Sequence, residues 1–386
     1  MARRLTENQL IRWKLLEEFR ALLSRALPME LPHPTWQDPK RLLAAADYYS
    51  LFLFGLFNPV VRTLRGLCQA SHLPRVQEDV CGRAVSPASF SDAQHALEPA
   101  LLQKIFCELA ERVGSRSCTP GAPRPAWLIQ DSTLWDVLPR MHWAFWRQQG
   151  RSQSAVRLHV GLHVLEDAPV RAQVTAGSCC ERKAWREDWQ PGDAYIGDRY
   201  FSEDYRLLEE LDQKGCSYVL RLRQSAAFDA LEELPLDAQA LAQNVRRDAW
   251  VRLGNPKLAV RPRVRLVWIE GAQEELILAT NKTPEELPAA LVSQLYRQRW
   301  QVELFFRWIK CVLGCRHWLA ESPEGVATQI YLALIGALLL QLYTGQRPNR
   351  RMLEMLQFYF LGVATLEEVT AALERQRGAK ARSQKN

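Results

Sequence analysis

Val156-Arg-Leu-His-Val-Gly-Leu-His-Val164 decides the fold class. Its apolar residues fall at every second position. Val156, Leu158, Val160, Leu162 and Val164 share one face, and Arg157, His159 and His163 take the other. A period of two marks a strand. Working outward, Ala126-Trp-Leu-Ile-Gln-Asp131 reads as a short apolar strand ending in an acid, and Pro169 to Thr175 as a hairpin partner. Ala194-Tyr-Ile-Gly-Asp198 is a further strand ending in an acid. Ser202 is predicted to cap a helix through Leu207, Leu208 and Leu211, closed by Gly215, before a strand over Ser217 to Leu222. Strands in this order, with helices to follow, predict an α/β domain built on a mixed sheet.

Upstream, residues 1–113 read as a helical N-terminal DNA-binding domain. Leu5 to Leu27 carries apolar residues at helical spacing, and a second helix from Pro39 breaks near Asn58-Pro59 and resumes through Leu64 and Leu67. A third, capped by Ser89 or Ser91, turns Leu97, Leu101, Ile105, Leu109 and Val113 inward. Residues 114–125, rich in Gly and Pro, form the linker. The core's first part is 126–224. A β-rich insertion over 225–280 interrupts it, and its second part is 281–345. A helical tail over 346–386 carries Met352, Leu353 and Leu356 as a candidate self-association surface.

Within the insertion, Arg261, Arg263 and Arg265 lie two apart, so a strand would present them on one face. They read equally as an edge strand guarded by charge and as a ribbon that tracks phosphates. The net charge of +7 permits a polyanionic partner without requiring one. The nine scattered cysteines contain no Cys-x-x-Cys, which fits free thiols in a reducing, cytoplasmic setting. Met1-Ala-Arg-Arg opens no secretory signal. The most apolar run, Ile330 to Leu340, is 11 residues, too short for a bilayer, and reads as a buried helix rather than a membrane span. His159 and His163 read as a polar or DNA-facing surface. No phosphate-binding Gly-x-x-x-x-Gly-Lys loop occurs, so no nucleotide cofactor is expected.

A Thr283–Glu286 capping box and Pro288 predict a long helix ending at Leu313. At 100° per residue, Tyr296 and Lys310 fall within about 20° of Glu303 and Arg299 within about 40°. Arg307 and Trp300 lie nearby. The plain alternative is that Glu303 pairs with Arg299 and Arg307 on a solvated face. Against it stand Asp131 and Asp198, each ending an apolar strand, where open sheets place reacting groups. Three carboxylates on rigid elements suit a pair of hard divalent cations.

The spacing Tyr296-x₂-Arg299-x₃-Glu303-x₆-Lys310 resembles the Y-R-E-K signature of a group of bacterial insertion-sequence transposases, the Asp-Asp-Glu enzymes with a ribonuclease H-like core. Asp131-Ser-Thr is similar to the motif of their first acid, and Ile196-Gly-Asp198-Arg-Tyr-Phe to that of the second. The resemblance implies a ribonuclease H-like mixed-sheet core and a cut-and-paste transposase. Asp131, Asp198 and Glu303 would ligate two Mg²⁺, with Mn²⁺ able to substitute. Tyr296, Arg299 and Lys310, helped by Arg307, would contact phosphates. Trp300, Trp268 or Trp250 would stack an unpaired base. The partners implied are transposon-end DNA, target DNA and a second copy of the chain in a synaptic homodimer, acting at the bacterial nucleoid. Two other readings use the same residues: a silent DNA-binding derivative, and a ribonuclease H-like nuclease that cuts without joining.

Overall fold

The computed structural model describes residues 14–27, 34, 38, 42–61, 63–96, 98–114, 127–137, 141–148, 151–271, 274–312 and 318–383. The expectations for Leu5 to Trp13, for most of the 114–125 linker and for Leu313 lie outside them. Contacts divide the chain into two compact units. One comprises Met1–Arg116, Trp135–Val156 and Phe305–Asn386, the other Ser117–Leu134 and Arg157–Leu304.

Among the described residues the first unit opens with the helices α1 (Lys14–Ala26), α2 (Ala45–Phe57) and α3 (Leu64–Ala70), a short helical stretch over Pro74–Val76 and Gln77–Cys81, and α4 (Pro87–Ala96). Helix α5 (Pro99–Gly114) follows. The single helix expected over 89–113 is therefore two. Pro99 lacks the N–H that would continue the first, and it starts the second. Ser86, not Ser89 or Ser91, sits at the first of these starts, accepting from the Ser89 N–H at 3.1 Å. In α5, Ile105, Leu109 and Val113 are buried as the spacing predicted.

The sheet starts with β1 (Trp127–Asp136), β2 (Phe145–Gln148), β3 (Arg151–His163) and β4 (Ala168–Ala176). Helix α6 (Glu181–Glu187), β5 (Ala194–Gly197), the short α7 (Arg199–Ser202), α8 (Tyr205–Gln213) and β6 (Ser217–Arg221) follow. The cap predicted at Ser202 belongs to Asp204, whose carboxylate accepts from the Arg206 N–H at 3.2 Å. Ser202 is instead buried inside α7. The β-rich segment adds β7 (Phe228–Glu233), α9 (Ala238–Ala242), β8 (Val245–Leu253), β9 (Arg263–Ile269) and β10 (Leu276–Thr280).

Among the described residues these strands make one ten-stranded sheet in the order β2-β3-β1-β5-β6-β10-β9-β8-β7, with β4 beside β3. Strands β1, β5 and β6 are parallel neighbours. From β10 on β6 outward the pairing is antiparallel, so the β-rich segment continues the core sheet. This is the mixed α/β core that the order of elements predicted.

One face of the second unit's sheet buries Leu128, Tyr195, Tyr218, Val251, Leu266 and Trp268 together with Trp185, Phe201, Leu207 and Leu211. Each fully buried aliphatic or aromatic side chain contributes on the order of 1.5–3 kcal/mol. The helix α10 (Ala289–Arg297) packs near β6, β8 and β9. The capping box forms: the Thr283 N–H donates to Glu286 at 3.0 Å, and the Glu286 N–H to the Thr283 hydroxyl at 3.3 Å.

The long helix expected to end at Leu313 is broken. After α10 comes a turn at Gln298-Arg299, then α11 (Trp300–Val312). Across the turn the bonds run to the third residue back: Arg299 N–H to the Tyr296 carbonyl at 3.0 Å, Val302 N–H to that of Arg299 at 3.2 Å. This tightening displaces Tyr296 from the uniform helical wheel.

Beyond α11 lie α12 (Pro323–Thr344), α13 (Arg350–Phe360) and α14 (Leu366–Ser383). Helix α12 has 22 residues, so the length argument against a membrane span does not hold. Its environment supplies the answer: 89% of its apolar window is buried within the fold, among α1, α2, α4 and α5. The expected buried helix is present, about twice as long as its most apolar stretch.

Candidate active site

The parallel ladder of β1 and β5 pairs Trp127 with Ala194, Leu128 with Tyr195 and Ile129 with Ile196. The same register carried forward sets Asp131 opposite Asp198. Asp131 is not the end of its strand as expected; Asp136 is. By strand alternation the two acids of β1 point to opposite faces. Asp198 does lie just past the end of β5 and caps α7, accepting from the Tyr200 N–H at 2.9 Å. The residue before it is Gly197, where an added Cβ would meet Leu220 at 2.8 Å and Phe201 at 3.0 Å. Glycine there lets β5 run close under its neighbours, which sets where Asp198 emerges.

Asp131 accepts from the Ser132 N–H at 2.7 Å. Burial pushes its carboxyl up to about 7; the Ser132 bond and Arg299 oppose this, and the charges of Asp198 and Glu181 reinforce it. A carboxyl raised this far by burial beside like charge, within a central strand, marks Asp131 as a candidate functional group.

Glu303, in the first turn of α11, reaches the same place through Arg299. The guanidinium lies 3.5 Å from Asp131 and donates to Glu303 at 2.5 Å. The plain reading of Glu303 as the partner of Arg299 is thus half the geometry: Arg299 also holds Asp131, from a different element. Tyr296 is buried, its hydroxyl engaged with Arg221, and burial raises its pKa while Arg299 opposes this. Trp300 is 50% exposed and Arg307 is exposed. Lys310 lies over the Trp135 ring, 5.0 Å from its centroid.

Sequence reasoning missed Arg157 and Glu181. Arg157 donates to the Ser132 hydroxyl at 2.9 Å and pairs with Glu181, so the residue after Asp131 is held from β3. The only signal was the position of Arg157 on the polar side of the alternating strand.

Four expectations are corrected. Arg265 is fully buried, bonded to Asp248 at 2.5 and 2.8 Å and to the Leu287 carbonyl at 2.6 Å, so it cannot track a phosphate. Arg261 precedes β9, so it does not lie on the strand face expected, and it pairs with Asp229. Trp268 is 5% exposed in the core, with the Arg247 guanidinium 4.5 Å from its ring. His159 is buried and bonded to Thr175 at 3.0 Å, not DNA-facing. Of the basic strand, Arg263 remains exposed, stacked 4.6 Å from the Trp250 ring.

A family model, the transposase DDE domain, matches residues 123–340. The chain belongs to the DDE transposase family. The transposase is 27% identical over 292 residues to a Sinorhizobium fredii protein named as a transposase, y4zB, a match covering 74% of this chain and 79% of that one. It is 23% identical over 220 residues to a Geobacillus stearothermophilus protein named for the transposase of insertion sequence element IS5377, covering 57% and 56%. A solved structure titled as a piggyBac transposase synaptic complex with hairpin DNA aligns over 96% of this chain and 80% of that one. At 12% identity and a TM-score of 0.41, that likeness carries no argument. The family makes the transposase a DNA-cutting and DNA-transferring enzyme that works with a divalent metal.

The acids fit such a metal by donor type. Asp131, Asp198 and Glu303 offer carboxylate oxygens, which hard divalent cations take. A cation, the Arg299 guanidinium, already lies between two of them. Among the described residues no three His, Cys, Asp or Glu side chains close into a ready-made metal cage. Asp131 and Glu303 are joined through Arg299 instead.

Proposed function

We propose that the transposase binds the ends of its element as a homodimer, cleaves them at Asp131, Asp198 and Glu303, and joins the freed 3′ ends to target DNA. The observation that supports this is the placement of Arg299 between Asp131 and Glu303, with Asp198 in register beside Asp131. The acids come from β1, from the end of β5 and from a helix distant in sequence; Asp131 and Glu303 share one cation, and the Asp198 charge acts on Asp131. Such a cluster is of little use to a protein that only holds phosphate, because unneutralised carboxylates repel it.

In this reading the three carboxylates would hold Mg²⁺, two ions per site with Mn²⁺ able to substitute, which supplies Lewis-acid stabilisation of the charge developing on the reacting phosphate. The chain's own groups position the DNA. Arg299, Arg307 and Lys310 take backbone phosphates, and Tyr296 supports the turn that carries Arg299. Trp300 offers an exposed ring to an unstacked base. Arg263 replaces Arg261 and Arg265 as the phosphate contact of the β-rich segment. A water cuts one strand and leaves a 3′-OH; that hydroxyl attacks the opposite strand to give a hairpin, which is reopened before joining. The helices of 1–113 recognise the end sequence, the tail of 346–386 contributes to self-association, and the work is done on nucleoid DNA in the cytoplasm.

Asp198→Ala incubated with labelled transposon ends, Mg²⁺ and a target plasmid tests the assignment. Loss of cleavage with retained end binding is expected, and retained cleavage removes Asp198 from the site. In the wild type, cleaved ends should appear joined to plasmid. Cleavage without joining would favour the nuclease reading, and binding without cleavage in any metal would favour the silent one.

A further inference from the structure

Arg299 stands where a metal-loaded site would carry a different cation. One nitrogen of its guanidinium lies 3.5 Å from Asp131 Oδ2 and another 2.5 Å from Glu303 Oε1, at a side chain only 22% exposed. Resting on the metal reading above, we propose that Arg299 couples metal loading to DNA engagement: it neutralises Asp131 and Glu303 in the free protein and transfers to a DNA phosphate when the site is loaded.

Two facts make the transfer physically reasonable. A guanidinium and a divalent cation repel one another and compete for the same carboxylate oxygens, so metal entry weakens both ion pairs of Arg299. A phosphodiester presents two oxygens in a forked geometry, so Arg299 exchanges single contacts to two carboxylates for one bidentate partner. The backbone at Arg299 is suited to such an exchange. Gln298 N–H bonds to the Leu295 carbonyl at 3.0 Å and Gln301 N–H to that of Gln298 at 2.9 Å, so the regular helical ladder is interrupted where the side chain must swing. Neighbouring Arg221 is already engaged by Tyr296 and by Glu274, which leaves Arg299 as the residue that links the acids.

Coupling between two ligands is reciprocal. If DNA draws Arg299 from the carboxylates, DNA must raise metal affinity, and removing Arg299 must abolish that effect. Mn²⁺ binding is measured by calorimetry for wild type, Arg299→Gln and Arg299→Lys. Each is measured alone and with a duplex representing an already cleaved transposon end, so that no strand is cut. Without DNA, Arg299→Gln is expected to bind Mn²⁺ about tenfold more tightly than wild type, within the usual range of site-to-site coupling. The duplex should raise wild-type affinity by a similar factor and leave Arg299→Gln unchanged. Arg299→Lys keeps the charge without the fork and should fall between, and it carries the test if Arg299→Gln does not fold.

Equal Mn²⁺ affinities for the free wild type and Arg299→Gln, or equal enhancement by DNA in both, would overturn the coupling. Failure of the underlying site reading looks different. If Asp131→Asn/Glu303→Gln binds Mn²⁺ as wild type does, the metal is held elsewhere and both ideas fall.

Discussion

Asp198, just past the end of β5, lies close enough to Asp131 in the neighbouring strand β1 for its charge to act on the Asp131 carboxyl. The parallel ladder pairs Ile129 with Ile196, and each acid follows its residue of that pair by two positions. Pairing of β1 with β5 therefore brings carboxylates from distant parts of the chain near one another. Burial, reinforced by Asp198, is what raises the Asp131 carboxyl, so in the metal-free protein the pair is held at an energetic cost.

Asp198→Asn should therefore stabilise the metal-free transposase while disabling it. Asparagine caps α7 as well as aspartate does, so the turn at Tyr200 survives. Removal of the like charge eases ionisation of Asp131. The expected gain is about 1 kcal/mol, read as a small rise in melting temperature without metal. If the site holds Mg²⁺ as proposed, the stabilisation it confers on wild type should vanish, together with end cleavage. A variant that melts lower without metal would show that Asp198 and Asp131 do not repel.

The buried pair of Arg265 and Asp248 makes a prediction of a different kind. Both side chains are almost wholly enclosed, at 0% and 2% exposure. Arg265→Met leaves Asp248 buried and unpaired and should cost about 3–5 kcal/mol in urea unfolding. Arg265→Met/Asp248→Leu should recover most of that loss, because the double variant buries no charge. Duplex binding by the double variant should match wild type. Weakened binding at restored stability would return Arg265 to the DNA.

That pair also marks how far the sequence could be read. Alternation placed Arg263 and Arg265 on one face, and strand order predicted the mixed sheet. Neither could tell that Leu287 and Asp248 would close over one arginine and not the other, because burial depends on which element packs above a strand. The acids were legible as residue types at strand ends and on a helix. That Arg299 would join Asp131 to Glu303 was not, since this depends on a turn at Gln298-Arg299 that uniform helical geometry hides. Arg157 was invisible for a related reason: a charge on the polar side of a strand looks solvated until Glu181 and Ser132 are seen beside it.

His159 gives stability a pH dependence. Burial, helped by the nearby Arg157 charge, lowers its pKa to about 4. Between the unfolded value near 6.5 and about 4, the unfolded chain binds a proton that the folded one refuses. Stability from this group is complete above about pH 6.5 and falls as pH drops towards 4, by at most about 3 kcal/mol. His163, also lowered by burial, acts in the same direction. Urea midpoints measured across this range should slope less steeply in His159→Gln, which can still bond Thr175 but cannot take a proton. An identical slope in wild type and variant would place the acid sensitivity elsewhere.

Trp300 and Trp268 separate surface chemistry from packing. Trp300 is half exposed beside Arg299, whereas Trp268 is wedged between Phe228 and the Arg247 guanidinium. Trp300→Ala should leave urea stability within about 0.5 kcal/mol. If its ring stacks an unpaired base, the variant should lose about 1–3 kcal/mol in binding to a hairpinned end. Trp268→Ala should instead cost about 3–5 kcal/mol in folding. A 2-aminopurine placed successively at the terminal positions of the hairpin reports the stacked base directly, since stacking on an indole quenches its fluorescence. Quenching that persists in Trp300→Ala would mean another ring holds the base. Trp250, part-exposed under Arg263, would then be the residue to replace next.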